Sequence, residues 1–476
     1  MTFNSYSFIF IFLPIFLFGV WGLQHIGLFT EKKQMLMKLW LIAMSAFFFV
    51  GYGKLSCFVF LGSIAFNLAF AMLAGMGRTK PDRLLKVIAI ICNVILLCFF
   101  KYMSDGAMPV AISFYTFSQI MFIAELGNDE KQCGILDYLC YILFFPKVLQ
   151  GPIADYKNIN TGIEKLHEDV LDFENIAEGM RLFTLGLAKK VLLADVLGKA
   201  ADFGYGILTT ATAMDALIIA VSYSFQLYFD FSGYCDMAEG ICRMLGMDLQ
   251  INFDAPYRAE NIAQFWDRWH ISLTKFFTKY IYIPLGGSRR GKLRTYINIM
   301  VVFLISGIWH GNGWGFIVWG MMHGVLMVIT RFYGKYKRNK ETGTVGRTVG
   351  TILTFLYVNC AWVFFRAPKL SDAKVLLGKL IDPNAWSGLH ITVKLAECFM
   401  VDEIWYIFKV TPISGWNKSN YICMWIIMII SAFVIFRGKT ARKIAEEKKH
   451  PFLYGVLFVW GVVSLGGVST FLYVNF

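Results

Sequence analysis

Charge is scarce in this 476-residue chain: Asp, Glu, Lys and Arg make 16% of it against 57% hydrophobic residues, and its mean hydropathy is +0.56. Soluble domains carry about 25% charged residues. A water-soluble enzyme is therefore excluded, and the bilayer becomes the expected solvent. Metal-ligand spacing is lacking as well. Ten cysteines are scattered with no CxxC pair and none beside a histidine at ligand spacing. That argues against a zinc site and a disulfide framework, and leaves mostly buried, reduced thiols. The apolar stretch from Met1 to Leu28 has no basic n-region and no small-residue cleavage site, so it is expected to be retained as a first span. Internal repeats, low-complexity linkers and a separate soluble domain are also missing, and one membrane domain over residues 1–476 is the expectation.

What fills the chain instead is apolar and aromatic: 45 Phe, 22 Tyr and 13 Trp, as expected where rings fill helix interfaces and line membrane boundaries. Apolar stretches long enough, or nearly so, to cross a bilayer run at about residues 5–28, 35–52, 55–76, 86–101, 109–126, 175–197, 213–231, 296–331, 347–366, 421–436 and 452–474. Those under about 18 residues can tilt, stop partway or re-enter. The expected fold is an all-α, polytopic membrane protein of roughly ten to twelve membrane segments. The formal charge of +13 does not mark a nucleic-acid binder, because the basic residues cluster between apolar runs, at 32–33, 78–86, 275–294, 331–340 and 437–449. The positive-inside rule places these clusters in the cytoplasm. Counting spans between them puts both chain ends outside. The polar stretches at 155–175 and 367–395 are expected to be surface loops or interfacial helices.

Two stretches carry the residues for chemistry. In ENIAQFWDRWHISLTKFFTKYIYIPL, residues 260–285, Trp266 and His270 are four apart and share a face of the expected helix. Arg268, Lys275 and Lys279 fall on another face, giving an amphipathic helix at the cytoplasmic interface. Its lysines either anchor to anionic headgroups or draw in a phosphate-bearing acyl donor, and spacing alone leaves both open.

In LISGIWHGNGWGFIVWGMMH, residues 304–323, His310 sits at a Gly-rich, Trp-rich break between two apolar helices. At about 1.5 Å per residue from Arg294 it lies roughly 24 Å along an upright helix, deep in the hydrocarbon. An imidazole there needs a partner or an aqueous cavity, so it is either a hydrogen-bonded structural histidine or a functional one. Gly307, Gly311, Gly313 and Gly315 favour function, because they let backbone and ligand approach closely. His323, 13 residues on, falls off the face of His310 if one helix joins them, and is expected to be structural. His25, His167, His390 and His450 stand in no constellation. Asp230, Asp236 and Glu239 end an apolar span, where pairing with arginine or lining an inner cavity is the plain expectation. The Pro and Gly break in FPKVLQGPIADY, residues 145–156, suits a re-entrant turn.

Several of these stretches follow one another in a familiar order: AISFYTFSQI at 111–120, FFPKVLQGPIADY, SFQLYFDFSGYCDMA at 224–238, INFDAPYRAENIAQFWDRWHISLTKF, YIYIPLGG at 280–287, GIWHG at 307–311 and AWVFFRA at 361–367. Over nearly its whole length the chain resembles bacterial membrane-bound O-acyltransferases, in the branch that serves alginate and peptidoglycan O-acetylation and teichoic acid D-alanylation. The resemblance implies a ring of helices around a central funnel or tunnel. It implies that His310, in the WHG motif, is required for acyl transfer, and that His270, in RWH, supports activity near the inner mouth. It also implies a thioester donor, acetyl-CoA or an acyl carrier protein, with no bound cofactor. An extracytoplasmic serine-esterase-like partner would receive the acyl group at a bacterial cytoplasmic membrane. The lysine of FPKVLQ and the AELGNDE stretch depart from the family pattern, which bears on partner contacts and not on the WHG core. The final residues, FLYVNF at 471–476, look like the branch's Phe-x-Tyr-x-x-Phe motif, which makes Tyr473 the proposed acyl carrier. In the D-alanine system a similar motif sits on a separate small protein, so its place at this chain's own end favours O-acetylation. A transporter or flippase with a proton-relaying histidine is the rival from another class, and the inverted repeats it calls for are not seen.

Overall fold

In hydrocarbon each backbone N–H and C=O must find its partner within its own segment, so long apolar runs become helices. The computed structural model describes residues 1–76, 82–104, 107–127, 133–167, 172–334, 343–410, 418–447, 450–466 and 471–472, and no strand occurs among them. Eight helices are long and apolar enough to span: α1 (Phe8–His25), α2 (Thr30–Val50), α3 (Lys54–Ala74), α4 (Arg83–Tyr102), α5 (Lys292–His310), α6 (Trp314–Gly334), α7 (Thr344–Arg366) and α8 (Ser419–Phe436).

The other expected segments are shorter or charged. Residues 109–126 give a 14-residue helix, Ile112–Glu125, about 21 Å long against roughly 30 Å of hydrocarbon. Residues 175–197 form the helix Phe173–Ala188 and a π-helical turn, Lys189–Ala194, before the helix Asp195–Gly206. Residues 213–231 belong to a 32-residue helix, Ala213–Met244, that carries Asp215, Asp230, Asp236, Glu239 and Arg243. The last segment is a 13-residue helix, Pro451–Val463. The polar stretches at 155–175 and 367–395 contain the helices Tyr156–Lys165 and Leu370–Ile381.

The chain forms two compact units. The first comprises Met1–Leu187, Tyr234–Gln250 and Ile444–Phe476. An aromatic cluster knits its N-terminal part, with Phe12 and Phe16 meeting Phe145 edge-on at 5.2 and 5.0 Å. A polar clamp joins α3, α4 and the helix Ile112–Glu125. Asn93 Nδ2 donates to Asn67 Oδ1 at 2.6 Å, and Ser63 Oγ donates to Gln119 Oε1 at 2.8 Å. Asn67 Nδ2 also donates to Gln119, so three helices share one buried amide network. The Pro and Gly break forms a buried one-turn helix, Phe145–Val148. A Cβ at Gly151 would lie 2.5 Å from Lys147 Cα, which only glycine avoids. The ammonium of Lys147 donates to Ser118 Oγ at 3.1 Å and lies 3.9 Å from the Tyr141 ring centroid. At the other end of the chain, Phe471 is buried with its ring edge-on to Tyr234 at 5.2 Å.

The second unit comprises Ala188–Gly233 and Ile251–Lys443, and contains α5 to α8. Lys190 is buried between Asp195 at 2.8 Å and Asp230 at 2.7 Å. All ten cysteines are free, yet only Cys140, Cys235, Cys242 and Cys423 are buried. The expectation that most would be buried is corrected, since a small thiol is tolerated on faces turned away from the core as well.

Candidate active site

Helix α5 ends at His310 and α6 begins at Trp314, so the apolar block at 296–331 is a hairpin with a break where the glycines cluster. Glycine also sets how tightly the hairpin closes. A Cβ on Gly307 would stand 2.5 Å from the Phe316 carbonyl oxygen, and one on Gly320 would stand 2.4 Å from that of Phe303. Gly315 makes the same close approach to α7, where a Cβ would stand 2.3 Å from the Phe364 oxygen. Three helices thus meet at backbone contact around one histidine.

The His310 ring is buried in an aromatic cage. Trp309 lies at 4.4 Å, Phe365 edge-on at 4.8 Å and Trp319 edge-on at 5.0 Å. Trp319 stacks in turn on Trp362 at 5.7 Å. His323 also packs on Trp319, at 5.1 Å. His323 was expected to be structural because it falls off the face of His310 on a continuous helix. The break between His310 and Trp314 resets that register, and both imidazoles pack on the same indole. Trp266 Nε1 donates to His323 Nδ1 at 3.3 Å. The neutral ring therefore carries its proton on Nε2, which has no partner among the described residues.

The amphipathic helix expected over residues 260–285 is corrected. The chain forms two short helices, Ile262–Arg268 and Ile271–Phe277, then a π-helical turn, Thr278–Tyr282. His270 occupies the break in a left-handed conformation, φ +43°. The cause lies 18 residues upstream of it: Asn252 accepts from Ile271 N through its carbonyl at 3.0 Å and from Ser272 N through its Oδ1 at 3.1 Å. Asp254 N donates to the Arg268 carbonyl at 3.0 Å, which closes the turn from the other side. Trp266 and His270 consequently do not share a helical face. His270 is buried with its ring edge-on to Phe231 at 4.7 Å, and neither nitrogen has a partner among the described residues. Burial pushes its imidazole down to about 3, so it stays neutral.

A cavity of about 210 Å³ lies among these helices, lined by Trp266, Leu273, Thr274, Phe277, Thr278, Tyr282, Ile299, Val302, Phe303, Ser306, Met327 and Arg331. Ser306 is one helical turn before His310. Lys275 and Lys279, expected as donor-binding residues, are exposed and do not line the cavity. Thr274 and Thr278 line it in their place, with Arg331 as the cation on its wall. Arg268 is half-buried at the end of its helix, also off the cavity. Arg331 was legible only as a topology charge, and its position at the end of α6 was the available signal. Of the carboxylates expected to pair with arginine, Glu239 lies 4.0 Å from Arg243, whereas Asp230 pairs with a lysine, Lys190, at 2.7 Å. Tyr473 lies outside the described residues.

Comparison with known proteins adds an independent line. A model of the membrane-bound O-acyltransferase family matches residues 84–367. The chain is 36% identical to a peptidoglycan O-acetyltransferase of Helicobacter pylori over 443 residues, covering 83% of each. It is 31% identical to a probable alginate O-acetylase, AlgI, of Pseudomonas aeruginosa, over 81% of this chain and 76% of that one. To a teichoic acid D-alanyltransferase of Bacillus subtilis it is 26% identical, over 54% of this chain and 68% of that one.

Proposed function

The chain belongs to the membrane-bound O-acyltransferase family, and from that premise we propose that it moves an acetyl group from a cytoplasmic thioester to the outside for O-acetylation of a cell-envelope polysaccharide. It is a multi-pass membrane acyltransferase. The glycan of the cell wall is the favoured acceptor, because the relative at 36% identity is a peptidoglycan O-acetyltransferase.

One observation carries the mechanism: a buried imidazole at a glycine-closed hairpin tip, one turn beyond a cavity that holds Arg331. Arg331 stands at the end of α6 that the basic clusters mark as cytoplasmic. A donor such as acetyl-CoA carries phosphates for a guanidinium and an apolar arm for the wall formed by Phe277, Ile299 and Phe303. In the proposed step, His310 takes the phenolic proton of Tyr473 as the oxygen attacks the thioester carbonyl. The C–S bond breaks, an acyl–O bond forms, and the imidazolium returns the proton to the departing thiolate. A phenol with a pKa near 10 leaves a reactive ester, from which a serine of an extracytoplasmic esterase-like partner takes the acetyl group and restores the tyrosine. Both chain ends face outward in this reading, in a bacterial cytoplasmic membrane. His270 serves as a support of the site, Trp266 as a donor-binding residue on the cavity wall, and Lys275, Lys279 and Arg268 as outer attractors for the anionic donor.

The test is His310→Ala at equal membrane abundance, with ester-bound acetate and D-alanine both measured on isolated wall. Acetate is expected to fall by at least 10²-fold. Undiminished acetate overturns the reading, and loss of D-alanine in its place assigns the chain to teichoic acid D-alanylation.

A further inference from the structure

The first unit holds a second and larger cavity, about 680 Å³, which plays no part in the proposed reaction. It runs along α1 between the helices Phe173–Ala188 and Pro451–Val463. Its walls are apolar: Leu13 and Leu17 from α1, Ile176 and Met180 from the second helix, and Phe458 from the third. From Ile9 to His25 it extends about 24 Å along the helix.

Size and surroundings restrict what can fill it. Between Ile9 and Phe18 the lining side chains offer water no polar partner. Spread over about 24 Å of helix, the cavity is a long, narrow groove open on one side. A single hydrocarbon chain is narrow enough. Phe10 and Phe18, 54% and 70% exposed, form lips that face outward into the bilayer.

The two ends of the cavity differ. At the Ile9 end there is no ionisable lining group. At the other end His25 lines it, its ring on Trp21 at 4.6 Å and its Nδ1 held to the Trp21 carbonyl at 2.8 Å. Lys33 is anchored beside it through a 2.6 Å bond from its ammonium to the Gln24 carbonyl. Acidic groups accompany these bases: Asp172 and Glu174 stand on either side of the lining Phe173. Mixed charge suits a headgroup that itself carries both signs.

We infer that this cavity is a binding site for one glycerophospholipid, with an acyl chain along α1, the phosphate at His25 and Lys33, and a headgroup ammonium toward Asp172 and Glu174. The lipid completes a wall that the protein leaves open in the hydrocarbon layer.

The test is lipid extraction and mass spectrometry on the full chain after exhaustive detergent washing. About one phospholipid per chain is expected, enriched in amine-headgroup species over the bulk membrane. Leu17→Trp, which fills the cavity, is expected to lower that retention at least fivefold with an unchanged gel-filtration profile. Ile11→Trp, on the same helix but off the lining, should keep the lipid and serves as the folding control. Equal retention in Leu17→Trp and the parent overturns the proposal, as does a correctly folded parent that retains no lipid. A stoichiometric protein subunit displaced by Leu17→Trp also overturns it, assigning the groove to a partner.

Discussion

Gly320→Ala puts the glycine-closed hairpin to a quantitative test. The added Cβ would stand 2.4 Å from the Phe303 carbonyl oxygen and 3.3 Å from Gly307 Cα, both backbone atoms that cannot rotate away. Ordinary contact begins near 3.4 Å, so α6 must back away from α5 by about 1 Å. Overpacking of this kind costs about 1–3 kcal/mol. Trp319 is the adjacent residue, and it carries the 5.0 Å contact to the His310 ring. The same retreat therefore shifts the cage relative to the imidazole, and a misplacement of about 1 Å can cost about 10²-fold in rate. The assay is acetate released by mild base from isolated wall, normalised to membrane abundance, alongside a thermal melting curve of the purified protein. A loss of about 10²-fold with a lowered melting temperature is expected. Gly334→Ala, where a Cβ meets nothing within 4 Å, should change neither reading. Full acetylation and an unchanged melting curve in Gly320→Ala would refute the claim that backbone contact at this hairpin sets the position of His310.

Tyr473→Phe should abolish onward transfer and leave donor binding intact, read as wall acetate together with binding of labelled acetyl-CoA; loss of donor binding as well would count against a carrier role. Arg331→Gln should raise the KM for the donor at least tenfold while kcat changes little, and an unchanged KM would remove Arg331 from donor recognition. His270 is held neutral in the fold, with its pKa lowered from 6.5 to about 3. Between those values the unfolded chain binds a proton that the folded chain refuses, so this group's contribution is intact above pH 6.5 and is lost as pH falls, by about 1.4 kcal/mol per unit. His270→Asn, which tolerates the left-handed turn and does not titrate, should flatten that slope in melting temperature against pH.

The spans and the hairpin tip were legible because the bilayer imposes a crude rule, long apolar runs with basic ends, and the rule breaks visibly at a histidine flanked by glycines. Other features depend on contacts from remote parts of the sequence. Nothing within residues 260–285 announces that the chain turns left-handed at His270, since the bonds that hold the turn come from Asn252. Helical spacing consequently put Trp266 on the face of His270, whereas its indole is bonded to His323. His323 was set off the face of His310 by carrying one helical register across a break that the glycines had already signalled, while its burial and its bond from Trp266 fit the structural role expected of it. The lysines suffered from a different ambiguity: basic residues mark both topology and anion binding, and the lining of the cavity falls to Thr274, Thr278 and Arg331.

The amide network of Asn67, Asn93, Gln119 and Ser63 bears on how such a chain is assembled. A 14-residue helix lined with Ser113, Thr116 and Gln119 has little reason to enter lipid alone. It becomes comfortable only once two earlier hydrophobic rods are waiting with their carboxamides presented. Biogenesis of the N-terminal half is then ordered by chemistry: Asn67→Leu or Asn93→Leu would leave inserted rods in place and strand the late arrival, a defect that would surface as protease sensitivity at residues 107–127.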